Sequence, residues 1–445
     1  MNKNDVFEIE ITGMTDEGNG VGRAEGIAVF VPYTIVGEIC RVHIIKVNKT
    51  YAIGKLVEVV KPSENRIKAE CEYFYKCGGC QLWHMTYEEE LKYKQQKVAD
   101  CIQRIGNIET PVSDIVGADN SCRYRNKVQL PVSEKGIGFY RKNSHDVIDM
   151  DDCLLQSENS RIIISVIREW MTEYNIEPYN ESTHSGVLRH IYIRSGKSGI
   201  LLTLVSKTEE ITNTDKLIQK LENVDVSLVG VVLNVNSKDT NVVLGNKNIV
   251  LFGKGNIVDN IGDVEFEISP NSFYQVNKEQ TLKLYTKAKE MAQLTGKEKI
   301  WDLYCGIGTI CQFMADGAAK IYGIEIVPQA VEDAKRNAVR NGIENAEYFC
   351  GAAEKLAPML VEKGGRPDVI ILDPPRKGCD EKLLETVLKS RPKRIVYISC
   401  KPSTLARDLK YLSAKYDVAE IVPYDLFPRT SHVESAVLLS RKQNL

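Results

Sequence analysis

The first 60 residues alternate apolar and polar positions in short runs: VFEIEI from Val6, IAVFV from Ile27, ICRVHIIKV from Ile39 and YAIGKLVEVV from Tyr51. Alternation with a period of two marks strands with one buried face, because successive side chains point to opposite sides. Glycine-bearing turns, DEGNGVG and AEG, separate the runs, and this spacing predicts a small all-β barrel over 1–60. KPSENR, Lys61 to Arg66, breaks the pattern and reads as a linker. TYEEELKYKQQKVADCIQRIG then reads as a helix, with Thr86 placed to cap it and Glu89 three residues on. Residues 121–265 mix strands and helices without strong periodicity, so 61–265 is expected to be an α+β central domain. From about residue 266 the pattern becomes regular. KIWDLYCGIG, AKIYGIEI, DVIILDPP and RIVYISC are apolar runs ending in polar or glycine residues. Helical stretches lie between them, such as PQAVEDAKRNAVRN closed by Gly342. Buried strands alternating with helices predict a doubly wound, Rossmann-like α/β domain over 266–445.

Composition narrows the classes. The chain has 445 residues, 43% of them hydrophobic and 27% charged. That suits roughly two to four soluble domains. No apolar run approaches the ~20 residues of a membrane span. The start, MNKNDVFEIEITGM, alternates instead of forming a signal-peptide core. A cytoplasmic protein is expected, and in a reducing compartment its twelve cysteines imply metal binding, catalysis or packing, not disulfides. The net charge of -2 excludes a broadly basic coat, so an RNA partner would need local basic surface. CRYRNKVQLPV and GIGFYRKNSHDVI offer some: Arg123, Arg125, Lys127, Arg141 and Lys142 among Tyr124, Phe139 and Tyr140. Such a mixture suits phosphate contacts and base stacking, and equally a solvated strand face.

The strand ends carry the candidate chemistry. DLYCGIGT, Asp302 to Thr309, follows a strand and opens a helix, and its glycines allow a ligand close to the backbone. It lacks full GxGxxG spacing, so a dinucleotide is not the obvious ligand. Glu325 ends the next strand, 17 residues after Gly308, where such folds place an acid on ribose hydroxyls. Asp373 ends the strand of DVIILDPPRKG. Asp-Pro-Pro resembles the loop of amine-methylating enzymes, but Arg376 stands where those carry an aromatic residue, which argues against exocyclic amines. Cys400 falls where RIVYIS ends and KPSTLARDL begins a helix. A positive helix N-terminus would favour its thiolate. CEYFYKCGGC holds three cysteines with five and two residues between them, a pattern that suits zinc or an iron-sulfur cluster. The fourth ligand is open among Cys101, Cys122 and Cys153.

SFYQVN from Ser272, DLYCGIGT, GIEI, LDPPRKG, ISCKPSTLARDL and FPRTSHVES, in that order, resemble the RNA uracil-C5 methyltransferases. The first 45 or so residues resemble the TRAM domain, an RNA-binding, OB-like barrel. Cys71, Cys77, Cys80 and Cys153 match the family's four-iron cluster. The tRNA-directed bacterial branch lacks both features and the 23S ribosomal RNA branch has both. The resemblance therefore implies S-adenosylmethionine-dependent formation of 5-methyluridine in 23S ribosomal RNA, at one or two sites. It implies that Gln275, Tyr304, Glu325 and Asp373 bind S-adenosylmethionine. Cys400 would be the nucleophile, Glu434 the base, and Cys71, Cys77, Cys80 and Cys153 the ligands of a [4Fe-4S] cluster. A monomer acting on ribosomal RNA, away from membranes, is expected. The same chemistry on tRNA, or an inert RNA-binding assembly module, are the alternatives. The chemistry independently asks for these residue types. C5 of uracil is a poor nucleophile until a thiolate adds at C6, and a base must afterwards remove the C5 proton so that the thiol can leave.

Overall fold

A computed structural model of the chain describes residues 1–362 and 365–443. The N-terminal strands Val6–Met14, Asn19–Ala24, Ile27–Pro32, Ile39–Val47 and Tyr51–Lys61 close into a barrel. Closure pairs Ile27–Pro32 with Tyr51–Lys61 in parallel, and the inward positions of the alternating runs fill the core. Ile9, Ile11, Val29, Val31, Val42 and Ile44 are almost completely buried there.

The middle of the chain forms a seven-stranded mixed sheet running from Lys247–Gly253 at one edge to Val147–Asp149 at the other. Helices Glu158–Glu173 and Thr214–Glu222 pack on it through Ile163, Ile167, Trp170 and Leu217. A hairpin, Ile257–Ile261 and Val264–Ile268, links it to the C-terminal unit.

That unit is a second seven-stranded sheet. Its order is Ala346–Cys350, Lys320–Glu325, Lys299–Asp302, Val369–Leu372, Arg394–Ser399, Glu434–Arg441, Tyr416–Tyr424. The first five strands are parallel. The last strand of the chain, Glu434–Arg441, inserts antiparallel between Arg394–Ser399 and Tyr416–Tyr424. Apolar side chains go to both faces: Val396 and Ile398 join one core, Ile395 and Tyr397 the other. Burial on both faces explains why these runs read as continuous and not alternating.

Helix Tyr87–Arg104 starts as its sequence predicts, with Thr86 Oγ1 accepting from Glu89 N at 3.3 Å. Its apolar stripe, Val98 and Ile102, shares a core with Leu405 and Leu409 of helix Pro402–Leu412. The helix also buries Lys94, whose Nζ donates to Glu90 Oε1 and Asp425 Oδ1, both at 2.7 Å, and to the Phe427 carbonyl at 3.2 Å. Glu90 Oε1 also accepts from Arg429 N at 2.7 Å. These bonds tie the segment leading to Glu434 onto the helix that packs behind Cys400.

Candidate active site

Four acids and one thiol meet at the carboxyl ends of the parallel strands. Asp302 closes Lys299–Asp302, Glu325 closes Lys320–Glu325, and Asp373 follows Val369–Leu372. Cys400 follows Arg394–Ser399, and Pro402 at the first turn of the next helix fixes the chain's exit. Glu434 reaches the same end because its strand runs the other way. Ser399 pairs with Ser435 in this antiparallel register, so Cys400 leaves its strand beside the point where Glu434 enters the next, and the two are electrostatic neighbours.

The groups form a continuous line of electrostatic neighbours. Asp302 faces Glu325, Asp373 faces Asp302, Glu434 faces Asp373, and Cys400 faces both Glu434 and Asp373. Burial dominates their titration. It pushes the Asp302 and Asp373 carboxyls up to about 7 and Glu434 well above the usual carboxylate range, with neighbouring acids adding to each. The Cys400 thiol rises to about 11, through burial first and then Glu434 and Asp373. The helix start behind Cys400 therefore does not leave a free thiolate in the RNA-free protein. Arg376, exposed on the Asp-Pro-Pro loop, is the cation that opposes the rise at both Cys400 and Glu434.

The other end of the line is open to a ligand. Glu325 accepts from Gly306 N at 3.1 Å and Val327 N at 2.8 Å, which fixes its carboxylate beside the glycine turn. Gly306 has a φ of 54°, and a Cβ there would meet nothing within 4 Å, so the turn borders open space. Gly308 has a φ of 85°, a left-handed backbone in which any L side chain would be strained. Asp302 Oδ2 is buried without a hydrogen-bond partner. An orphaned buried carboxylate oxygen and a glycine cradle fit a polar, cationic ligand such as the amino acid part of S-adenosylmethionine. Gln275 is buried, and its carbonyl accepts from Asn126 Nδ2 at 3.0 Å. Tyr304 departs from the group: its backbone N–H reaches Asp302 Oδ1 at 3.4 Å, while its hydroxyl faces the Cys379 thiol. Asp302 was legible as a strand-end acid in DLYCGIGT, but nothing local showed that one oxygen would lack a partner.

The cysteine cluster lies in the central part of the chain. Cys71, Cys77, Cys80 and Cys153 line one cavity of about 260 Å³, with Phe74, Trp83 and Leu155 in its wall. The Cys80 thiol faces those of Cys153, Cys77 and Cys71. Among the described residues no three His, Cys, Asp or Glu side chains form a group that would hold a single metal ion. Cys101 and Cys122 do not line this cavity. Arg123 explains how Cys153 comes to it: its guanidinium grips Asp152 through two bonds, at 2.8 and 2.6 Å, and donates to the Cys153 and Gln156 carbonyls at 3.1 and 3.0 Å. Arg123 is thus a brace of that loop and not a free phosphate ligand. Lys127 lies against the Tyr192 and Phe273 rings, and Arg125 over Tyr124 and Phe427.

A family model described as tRNA (uracil-5-)-methyltransferase matches residues 86–442, and one described as the TRAM domain matches residues 2–57. An uncharacterized RNA methyltransferase of Clostridium tetani is 46% identical, over 98% of this chain and 97% of its own. Another from Halalkalibacterium halodurans is 45% identical, over 99% and 98%. The crystal structure of the Pyrococcus abyssi tRNA (uracil-54, C5)-methyltransferase with S-adenosyl-L-homocysteine superposes with a TM-score of 0.80. It is 28% identical and covers 97% of this chain and 100% of its own.

Proposed function

The chain belongs to the tRNA (uracil-5-)-methyltransferase family, and from that premise we propose that it methylates C5 of a uridine in 23S ribosomal RNA, using Cys400 as nucleophile and Glu434 as base. The observation that carries the catalytic assignment is the pairing of Ser399 with Ser435, which brings Cys400 and Glu434 together as neighbours at the ends of two adjacent strands. Bound S-adenosylmethionine supplies an electrophilic methyl group. Gln275, Glu325 and Asp373 would hold it, with Asp302 added from its unpartnered oxygen, and Tyr304 would border it through the loop backbone, its hydroxyl being turned to Cys379. Cys400, its thiol proton passing to solvent, adds to C6 of the target uracil, which must leave its stack to reach a thiol at the bottom of the crevice. The addition makes C5 nucleophilic. Glu434 then takes the proton from C5, and the Cys400–C6 bond breaks. Burial makes Glu434 a strong base once ionised, and Arg376 favours that ionised form.

Support for ribosomal RNA is the resemblance of the barrel and the four thiols to that branch. Likeness to the Pyrococcus abyssi enzyme over the whole chain favours tRNA as the second reading. Incubating the protein with unmodified 23S ribosomal RNA and with unmodified tRNA, then mapping 5-methyluridine, separates them. Product on 23S ribosomal RNA is expected, and product on tRNA alone would reverse the choice.

The cofactor site should titrate. In the free protein Asp373 and Asp302 are protonated below about 7. A bound ammonium or sulfonium cation favours the carboxylate, so S-adenosylmethionine affinity should fall as the pH drops below that value, approaching roughly tenfold per unit for each proton released. S-adenosylhomocysteine, which keeps the ammonium but is neutral at sulfur, should lose only the part of the dependence that the sulfonium contributes. Calorimetry in two buffers of different ionisation heat measures the proton release directly.

Cys71, Cys77, Cys80 and Cys153 are assigned to a [4Fe-4S] cluster. What supports this is four thiols lining one cavity, with Phe74, Trp83 and Leu155 in its wall. The cluster would pin the central domain, since the methylation steps need no electron transfer. Protein purified without oxygen should be brown, with about four irons per chain. Cys153→Ala should lose iron and soluble yield together. A colourless protein with one zinc is the contrary result.

A further inference from the structure

The first hairpin loop of the barrel, between Val6–Met14 and Asn19–Ala24, extends to the catalytic crevice. Its Asp16 carboxylate pairs with the ammonium of Lys401, the residue directly after Cys400. The same carboxylate lies 2.8 Å from Lys97 Nζ. Lys97 Nζ also donates to two carbonyls, those of Asp16 and Ser431, both at 2.7 Å. Ser431 lies three residues before Glu434. Around this junction the Tyr93 hydroxyl donates to the Thr15 carbonyl at 2.9 Å, and Ser431 N donates to Gln81 Oε1 at 3.2 Å. Gly18 sits so close that a Cβ there would be 3.5 Å from Ser431 Cβ and 3.1 Å from Leu82 Cδ2.

The arrangement is more than a surface ion pair. Lys97 is 8% exposed at its side chain, and one carboxylate serves two cations from two different elements. Burial works against the Asp16 charge, yet the hydrogen bond from Lys401 and the ion pairs with Lys401 and Lys97 hold its carboxyl below the ordinary value. A barrel that only gripped RNA would need neither loop. This one touches the residue beside the thiol and, through Lys97, the segment leading to the base. We propose that Asp16 is a positioning residue for methyl transfer: through Lys401 and Lys97 it fixes the two loops that carry Cys400 and Glu434. The role rests on the methyl-transfer reading above. It makes the barrel part of the catalytic geometry, because a displacement of about 1 Å between reacting groups costs on the order of 100-fold in rate.

The test uses the full-length enzyme with Asp16→Asn, Lys401→Met and the double variant. The substrate is 23S ribosomal RNA transcript, with and without 5-fluorouridine. S-adenosylmethionine binding and the melting temperature report folding. The single-turnover rate at saturating RNA should fall about 10- to 100-fold in Asp16→Asn. The rate of covalent adduct formation should fall by the same factor, with RNA affinity nearly unchanged. Because Asp16 acts through Lys401, the double variant should be no slower than the slower single one. A full rate at saturating RNA with a raised KM would overturn the proposal and make the loop an RNA grip. Losses that multiply in the double variant would also overturn it. Failure of the unmodified enzyme to methylate or trap RNA would sink the methyl-transfer reading and this proposal together, whereas an active enzyme indifferent to Asp16→Asn sinks this proposal alone.

Discussion

Cys400→Ala should lose methyl transfer by a factor on the order of 10⁴ or more, while S-adenosylmethionine still binds. The reason is electronic. Without addition at C6, C5 of uracil has no electron pair to offer a sulfonium methyl. The loss should therefore show no rescue at high substrate concentration. RNA carrying 5-fluorouracil gives the matching positive result. After methyl transfer, fluorine at C5 cannot depart as a proton, so the unmodified enzyme stays bonded through Cys400 and migrates with RNA on a denaturing gel. Cys400→Ala should give no such band. Methylation that survives in this variant would place the nucleophile elsewhere. The thiol's position at about 11 in the free protein adds a kinetic expectation. Adduct formation should speed up as the pH rises, because a larger fraction is thiolate at the moment of attack.

Glu434→Gln separates the two halves of the reaction. The amide keeps the shape but has no basic oxygen, so addition and methyl transfer proceed while removal of the C5 proton slows by roughly 10² to 10⁴-fold. The variant should accumulate a covalent complex on ordinary RNA, with the labelled methyl already on the trapped uracil. That accumulation is hard to produce by misfolding, since it needs a working thiol and a working cofactor site. Normal turnover without a trapped complex would hand the proton to another group. Glu434 would then be only a buried acid at the start of a strand.

Much of the site can be read from the chain because buried parallel strands end abruptly. Glu325 and Asp373 each stop an apolar run, and a charge in that position has few structural excuses. What sequence does not carry is register. That Glu434 faces Cys400 follows from the last strand inserting antiparallel between two earlier ones, a long-range pairing with no local signature. The Asp16–Lys401 contact spans 385 residues and is equally silent. Arg123 shows the opposite failure. Basic residues beside aromatics suggest an RNA face, but only tertiary contacts reveal that its guanidinium is spent on Asp152 and two carbonyls. The helix start after Cys400 pointed to an ionised thiol, and burial beside two carboxyls outweighs it.

The place of the final strand bears on how the protein is made. A ribosome releases Tyr416–Tyr424 before Glu434–Arg441, yet the later segment is what joins the earlier one to the rest of the sheet, its other edge bonding Ser113 and Val116. Until Glu434–Arg441 leaves the exit tunnel, a nascent chain has an open slot beside Arg394–Ser399 and lacks the proposed base. Unpaired strand edges of this kind invite association between chains. A message truncated upstream of codon 434 would therefore yield polypeptide that is both catalytically dead and prone to aggregate.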